Sequence, residues 1–507
     1  MWMGLFGSRF PHFFVCFALR KPPRHQLRFP AILHPVSSTL AGLQRALGSD
    51  SSIPRLWLPH RKTALKLLDR FAARFGAPGR CSVFIGFVPG RIEVLGRHTD
   101  YAGGHSLVCA LDRGFLFAAA ANDRGTVRIA GDRDEFEPVE FPASASIVPA
   151  PGEWANYPMT MTQRLASNLG SRGRLRGVDV AFSSTLPVGS GMSGSSALMM
   201  MTFLALAEAG GLARTRRFRA DIRDGIDLAM YLACCENGQT FRGLVGGRGV
   251  GTFGGSEDHT AILNGRACLL SLYQYAPTVH KADLSWPSDH LFAVCFSGVR
   301  AEKTREALER YNLAARRARE AAAACSRAWK TNLSHLAAVL EAAEARYGGR
   351  ASFTIARGLV GTPRDLHLAG RVRQFMLEER RHIPEAERAL CRRDMASFGR
   401  MISLSHAASR RHLANIVPEV DFLQRSAVRL GALGASGFGA GFGGSVLAVV
   451  SASGADEFVQ RWRESYAAAY PGESAEAAFF TTTPSDGIGF WNGAWSGRWV
   501  ERAFAHR

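Results

Sequence analysis

The stretch PGRIEVLGRHTDYAGG, residues 89–104, decides how the rest of the chain is read. It sets Arg97, His98 and Asp100 within four residues, inside a turn flanked by glycines. Such side chains are poor core material, and glycine tolerates the bends that bring a backbone close to a ligand. The stretch therefore reads as a ligand-contacting turn, and the question it poses is which ligand.

Around it, apolar patterning alternates. RKTALKLLDRFAARFG (61–76) reads as a helix stopped at Gly76 and Pro78. CSVFIGFV (81–88), IEVLG (92–96) and SLVCAL (106–111) read as short strands separated by turns, and residues 115–132 as a hairpin. A helix over 154–169 and a strand from 177 lead into a glycine-rich loop and a helix from Ser195 to Ala209. The second half is more helical. One long amphipathic helix with i, i+4 charge pairs covers 299–325, and others lie near 366–380, 384–392 and 394–412. Strands at 445–451 and 476–484 flank a helix at 455–469. Strands mixed with segregated helices give the class α+β, without regular βαβ alternation.

With 507 residues and 47% hydrophobic composition, the chain can bury two large lobes. Its net charge of +19 comes almost wholly from arginine, spread along the chain; only six of 62 basic residues are lysine. Nucleic-acid binders more often gather charge in a patch or tail, so no nucleic-acid partner is expected. Some attraction for anionic substrates is. Nine scattered cysteines, without C-x-x-C or zinc spacing, fit reduced thiols in a cytoplasmic protein. No apolar run reaches the roughly 18 residues of a membrane span, so no membrane partner is expected. Residues 1–55 are set apart as an extension, disordered or begun at a mis-called start, because no acidic residue precedes Asp50 and no cleavage site is clear. Residues 496–507 are read as a tail.

Three segments match G-x-G-x-x-G, at 189–194, 249–254 and 439–444, but none sits in a clear βαβ unit. No lysine follows a glycine, which excludes a P-loop. LPVGSGMSGSSALMMM (186–201) carries more. Gly189, Gly191 and Gly194 permit close approach, Ser193, Ser195 and Ser196 offer hydroxyls, and an apolar helix starts directly afterwards. A helix N-terminus of this kind suits a nucleoside triphosphate, with one serine free for Mg²⁺. The same residues also read as an ordinary serine cap.

Further motifs point to a family. PGRIEVLGRHTDYAGG resembles the galactokinase signature PGRVNLIGEHTDYNGG. The loop at 187–197 resembles the second motif of the wider GHMP kinase superfamily, PLGGGLSSSAA, and GASGFGAGFGGSVLAVV (434–450) the third, GARMTGGGFGGCTVALV. GGSEDHTAILNGRACLL (254–270) stands where the family has CGIMDQFASALGKKGHALL. The resemblance spans roughly 60–490. It implies a two-lobed GHMP kinase fold, with lobes at 56–284 and 285–495 and the active site between them. It implies as partners ATP, with Mg²⁺, and a sugar phosphorylated at its anomeric hydroxyl; a monomer is expected, although the sequence does not fix the oligomeric state. Asp258 would be the catalytic carboxylate and Arg91 its partner at the reacting hydroxyl. Gly189, Gly191, Ser193, Gly194, Ser195 and Ser196 would hold ATP, and Ser195 with Glu236 the metal. Arg97, His98 and Asp100 would contact the sugar.

Arg97 departs from the pattern, replacing a glutamate that accepts from the sugar. Arginine has five donors and no acceptor. Either the substrate carries an acid at that end, as a uronic acid does, or lacks the usual hydroxymethyl, or else Arg97 turns to solvent or pairs with Glu93, which stands at the family's asparagine position. Gly194 replaces a serine, and Phe438 falls where threonine is usual. An insertion containing RGLVGGRGVGTFGG (242–255) reads as a lid, an anion contact or a loop without a role. The rival function is a regulator that binds ATP and sugar without turnover, against which Asp258, Arg91 and the loop serines stand.

Overall fold

The structure is a computed structural model and describes residues 39–48, 59–76, 82–150, 152–301, 305–362, 367–492 and 496–504. Two long antiparallel strands, β1 (Val83–Leu95) and β2 (His105–Asn122), form its spine. They absorb the segments read as separate short strands. Pro89 pairs with Gly114, and the register slips between Pro89 and Arg91 and again between Glu93 and Leu95, so Pro89-Gly90 is a bulge within a strand. A Cβ on Gly114 would lie 2.1 Å from the Val88 carbonyl, which is why glycine marks the crossing.

The remaining strands are β3 (Thr126–Ala130), β4 (Val139–Pro142), β5 (Gly177–Ser184), β6 (Leu269–Gln274), β7 (Val279–Ser285), β8 (His290–Phe296), β9 (Gly434–Phe438), β10 (Ser445–Ser451), β11 (Ala478–Thr482), β12 (Gly489–Trp491) and β13 (Ser496–Arg498). Among the described residues they form two sheets. One runs β13-β12-β1-β2-β5-β3-β4, with β6 on the first part of β2 and β7 beyond it; the other runs β11-β8-β10-β9. The hairpin expected over 115–132 does not form. β5 takes the edge of β2, and β3 pairs with β5 in parallel.

The helix Gly194–Gly210 packs on β1 and β2 and is apolar on every side; Met199, Met200 and Met201 are fully buried. The second sheet is covered by the helices Pro418–Arg429 and Ala455–Ala469, with Trp462 buried between them. Four helices, Arg305–Trp329, Leu336–Tyr347, Ala351–Gly358 and Leu368–Leu377, share an alanine-rich core of their own.

Both ends of the chain depart from expectation. The extension holds a helix, Leu40–Gly48, whose Leu43 and Leu47 pack with Leu67, Leu68 and Phe71 under β1. The leucine spacing 40, 43, 47 marks this face, although arginine and proline dominate the preceding run. The rest of the extension lies outside the described residues. The supposed tail, with the strand before it, closes the first sheet instead. β12 pairs with β1 (Ile85 opposite Trp491), β13 follows, and Trp499 is buried and donates to Glu208 Oε1 at 2.8 Å. Among the described residues, no helix is long and apolar enough to cross a membrane.

Candidate active site

A cavity of about 300 Å³ opens where β1, the turn after it, the two glycine loops and the segment 252–258 converge. On its floor Arg91, projecting from β1, meets Asp258 on the helix Glu257–Asn264. Arg91 Nε and Nη2 both lie 2.8 Å from Asp258 Oδ1, and Nη1 donates to the Gly191 carbonyl at 2.6 Å. Its backbone N–H donates to Met192 O. Burial alone would push the Asp258 carboxyl up, but the Arg91 guanidinium holds it below the usual aspartate value. Arg91 shows the mirror effect: burial works against its charge, and Asp258, Glu257 and Glu93 more than restore it.

Above this pair stands the loop 187–193. Ser193 adopts a left-handed conformation, φ 60°, and the helix that follows has no side-chain cap at its N-terminus. Ser193 Oγ is buried without a hydrogen bond of normal geometry, although it lies near enough to Asp258 to help hold that carboxylate charged. A Cβ added to Gly194 would meet nothing within 4 Å. An uncapped helix end, an orphaned hydroxyl and open space beside them fit a phosphate chain.

Ser196 donates to Glu236 Oε2 at 2.8 Å, and Ser195, the serine singled out in the sequence, lines the same cavity. His259 Nε2 lies 3.2 Å from the same oxygen, out of hydrogen-bond alignment. No cluster of three His, Cys, Asp or Glu suited to a metal occurs among the described residues. One carboxylate, a serine hydroxyl and the substrate's own phosphates nevertheless suit Mg²⁺, which keeps waters and takes few protein ligands.

The two glycine loops touch back to back. A Cβ on Gly439, where φ is +79°, would lie 2.5 Å from the Gly191 carbonyl. Gly439→Ala should therefore lower stability by about 1–3 kcal/mol and weaken ATP binding by pushing the loops apart. Denaturant midpoints and a nucleotide titration check this.

At the other end, Asp100 lines the cavity and is approached by the backbone N–H groups of Gly255 and Glu257. Burial raises its carboxyl to about 6 against those hydrogen bonds. A Cβ on Gly255 would sit 2.4 Å from Asp100 Oδ2, so only glycine allows the approach. His98 also lines the cavity, but both ring nitrogens are engaged: Nε2–H donates to Ala440 O at 3.0 Å and Nδ1 accepts from Tyr101 at 2.6 Å. Burial, reinforced by Arg371, lowers it to about 3, so it stays neutral. It ties the turn to the third glycine loop.

Arg97 is the residue that departs furthest from its expected place. It does not line the cavity; it is 3% exposed and its Nε lies 3.4 Å from Glu93 Oε1. Of the readings offered by the sequence, pairing with Glu93 is the one realised. A buried guanidinium is costly without a carboxylate, and Glu93, four residues earlier, is the nearest.

Several contributors escaped the sequence reading. Arg371 donates to His98 O, Gln374 to Arg97 O, Glu378 accepts from Gly96 N, and Glu379 accepts from the N–H and ring of His105. The last two begin a π-type turn, Glu378–His382, that continues the helix Leu368–Leu377. Tyr311 lines the cavity with its ring 5.6 Å from His98, and Phe115, Phe136, Trp154 and Tyr157 line an aromatic end. The insertion is a packed loop. Arg242 forks onto Asp227 at 2.6 Å, Thr252 and Gly254 donate to Asn237, and its end joins the cavity wall.

Comparison with known proteins agrees with this geometry. Residues 69–121 match the galactokinase galactose-binding signature, 156–230 the GHMP kinases N terminal domain and 386–468 the GHMP kinases C terminal region. A galactokinase of Halalkalibacterium halodurans is 27% identical over 431 residues, covering 84% of this chain and 98% of its own length. One from Canis lupus familiaris is 27% identical over 427 residues, covering 82% and 94%. In fold, the crystal structure of Lactococcus lactis galactokinase complexed with galactose superposes with a TM-score of 0.68 at 21% identity, covering 84% of this chain and 99% of its own. With a galactokinase-specific signature at its start, both kinase halves following in order and likeness along nearly the whole of its relatives, the chain belongs to the galactokinase family of the GHMP kinase superfamily.

Proposed function

We propose that this protein transfers the γ-phosphoryl group of ATP to the anomeric hydroxyl of galactose, giving ADP and a sugar 1-phosphate. The observation that carries this reading is the Arg91–Asp258 pair, set between the uncapped helix end at Ser193 and the turn bearing Asp100. On this reading the protein acts in the cytoplasm as a monomer of two lobes, 56–284 and 285–495, with ATP and the sugar as its partners.

The aromatic end receives the nucleobase, and the backbone from Gly189 to Ser196 cradles the phosphates. Ser195, Ser196 and Glu236 hold Mg²⁺, which when bound offsets phosphate charge. Asp100, an acceptor with two oxygens, orients the sugar's hydroxyls, and His98 holds the turn in place. Asp258 accepts a hydrogen bond from the reacting hydroxyl. Because Arg91 keeps it ionised and weakly basic, it takes the proton late, as the sugar oxygen bonds to phosphorus and the bond to the departing ADP oxygen breaks. Arg91 stays charged throughout and stabilises the charge spread over the transferred group.

ADP release by the purified protein with MgATP, against galactose, fucose, L-arabinose, glucose and galacturonate, tests the reading. Galactose is expected to be turned over. ATP binding without ADP release on any sugar would sink the kinase reading and leave the regulator.

A further inference from the structure

The charges at the sugar end lie in an order that the sequence leaves open. Arg91 and Glu93 stand two residues apart on β1, and both line the cavity. Arg97 stands behind Glu93, buried, with its Nη1 unpartnered and its own carbonyl held by Gln374. Glu257 reaches the cavity beside Glu93, from the helix that also carries Asp258. The wall facing a sugar thus presents carboxyl groups, and the arginine that lines it, Arg91, is bound to Asp258.

We propose that Glu93, braced from behind by Arg97 and flanked by Glu257, is the specificity-determining residue for the acceptor: its carboxylate accepts hydroxyl hydrogens from a sugar whose reacting hydroxyl lies at Asp258, so the site takes neutral polyhydroxy sugars and rejects those bearing a carboxylate. This rests on the kinase reading and deepens it. A carboxylate has the acceptor capacity that Arg97 lacks. An anionic sugar would meet like charge at Glu93, Asp100 and Asp258 in a pocket that excludes much of the screening water.

Several groups face Glu93. They are Arg91 and Arg97 from its own strand and turn, Glu257 and Asp258 from the helix Glu257–Asn264, and Tyr101 from the turn Asp100–Ala102. Behind Arg97 stand Glu378 and His406. Burial pushes Glu93 up to about 7 against the pull of Arg97 and Arg91. Burial and the Glu93 charge push Glu257 well above its usual value, so it keeps its proton and donates to Glu93. As pH falls through this range Glu93 takes up a proton, loses acceptor strength, and sugar affinity drops.

The test uses the full chain: sugar kinetics at saturating MgATP and galactose binding by calorimetry, from roughly pH 5 to pH 9. Three proteins are compared: wild type, Glu93→Gln, and Glu93→Gln combined with Arg97→Met. The double variant leaves no buried guanidinium without its carboxylate, which guards against failure of the single variant to fold. Both variants should raise the galactose KM about tenfold or more, with a smaller change in kcat. In both, the affinity step near neutral pH should vanish while the lower step of Asp100 remains. Wild-type kcat/KM for galacturonate should lie about 100-fold below that for galactose. A folded double variant with unchanged galactose KM and pH profile overturns the proposal, as does galacturonate used as well as galactose. Galactose binding that depends on Glu93, without turnover of any sugar, supports it while sinking the kinase reading; absence of both binding and turnover sinks both.

Discussion

Asp258→Asn should lower kcat for sugar phosphorylation by about 10²–10⁴-fold with little change in ATP affinity. The substitution keeps the side chain's shape and one oxygen for Arg91 Nε and Nη2, so the floor of the cavity stays assembled. What disappears is the charge that, on the proposed mechanism, orients the sugar hydroxyl and receives its proton. Burial opposes the aspartate charge in the wild type but the pairing with Arg91 outweighs it, so losing the charge also lowers stability, while Glu257 and Glu93 remain beside Arg91. Single-turnover measurements at saturating MgATP, with a parallel nucleotide titration, separate chemistry from binding. A kcat close to wild type would remove Asp258 from the reaction.

The second large effect falls on fold and activity together. Arg91→Met keeps the bulk of a side chain that is 5% exposed but strips the cation from beside Asp258, Glu257 and Gly191 O. Breaking a buried pair from one side costs about 3–5 kcal/mol, and turnover should fall at least as far as in Asp258→Asn. The pH dependence separates this from generic damage. In the wild type the folded-state pKa of Asp258 is depressed, so its stabilisation is present above the unfolded value and is lost as pH falls through the folded one. In the variant burial outweighs the weaker pull left from Ser193 and His259, and the folded pKa rises. The contribution then changes sign, and stability falls as pH rises from the ordinary aspartate value toward neutrality. Denaturant midpoints across the acidic range should slope one way in the wild type and the other in the variant. Parallel slopes would mean that Arg91 does not set the Asp258 charge.

Much of the site was legible because backbone demands write themselves into sequence. The glycines at 191 and 439 meet at positive φ, with no room for a Cβ on Gly439, and Gly189 turns against Arg300; that need survives whatever the other side chains do. Arg91, Asp258 and Glu236, singled out through the family motifs, line the same cavity. Side-chain direction was harder. Ser193 takes a left-handed turn before the helix, and the bond from Ser196 to Glu236 is not announced by the run of serines. Arg97 sits on the right turn but faces away from the cavity, a choice made by Glu93 and by helices far along the chain. Tyr311 lies on a charged amphipathic helix whose pattern says nothing about its aim. Long-range pairing was hardest: nothing local announces that β3 joins β5 and not β2, or that Pro89-Gly90 bends a strand without ending it.

The closing of the first sheet by β12 bears on synthesis of the chain. Ile85 waits for Trp491, so its edge partner leaves the ribosome roughly 400 residues later. Until then β1 offers an open edge carrying Val83, Ile85 and Phe87, the sort of surface that recruits unwanted strands. The order of translation thus works against the order of burial, and a nascent chain stalled before Gly489 holds Arg91 on an unfinished sheet. A stop codon just before Trp499 would threaten yield more than its position suggests, since Trp499, on the helix Trp499–Phe504, plugs the core.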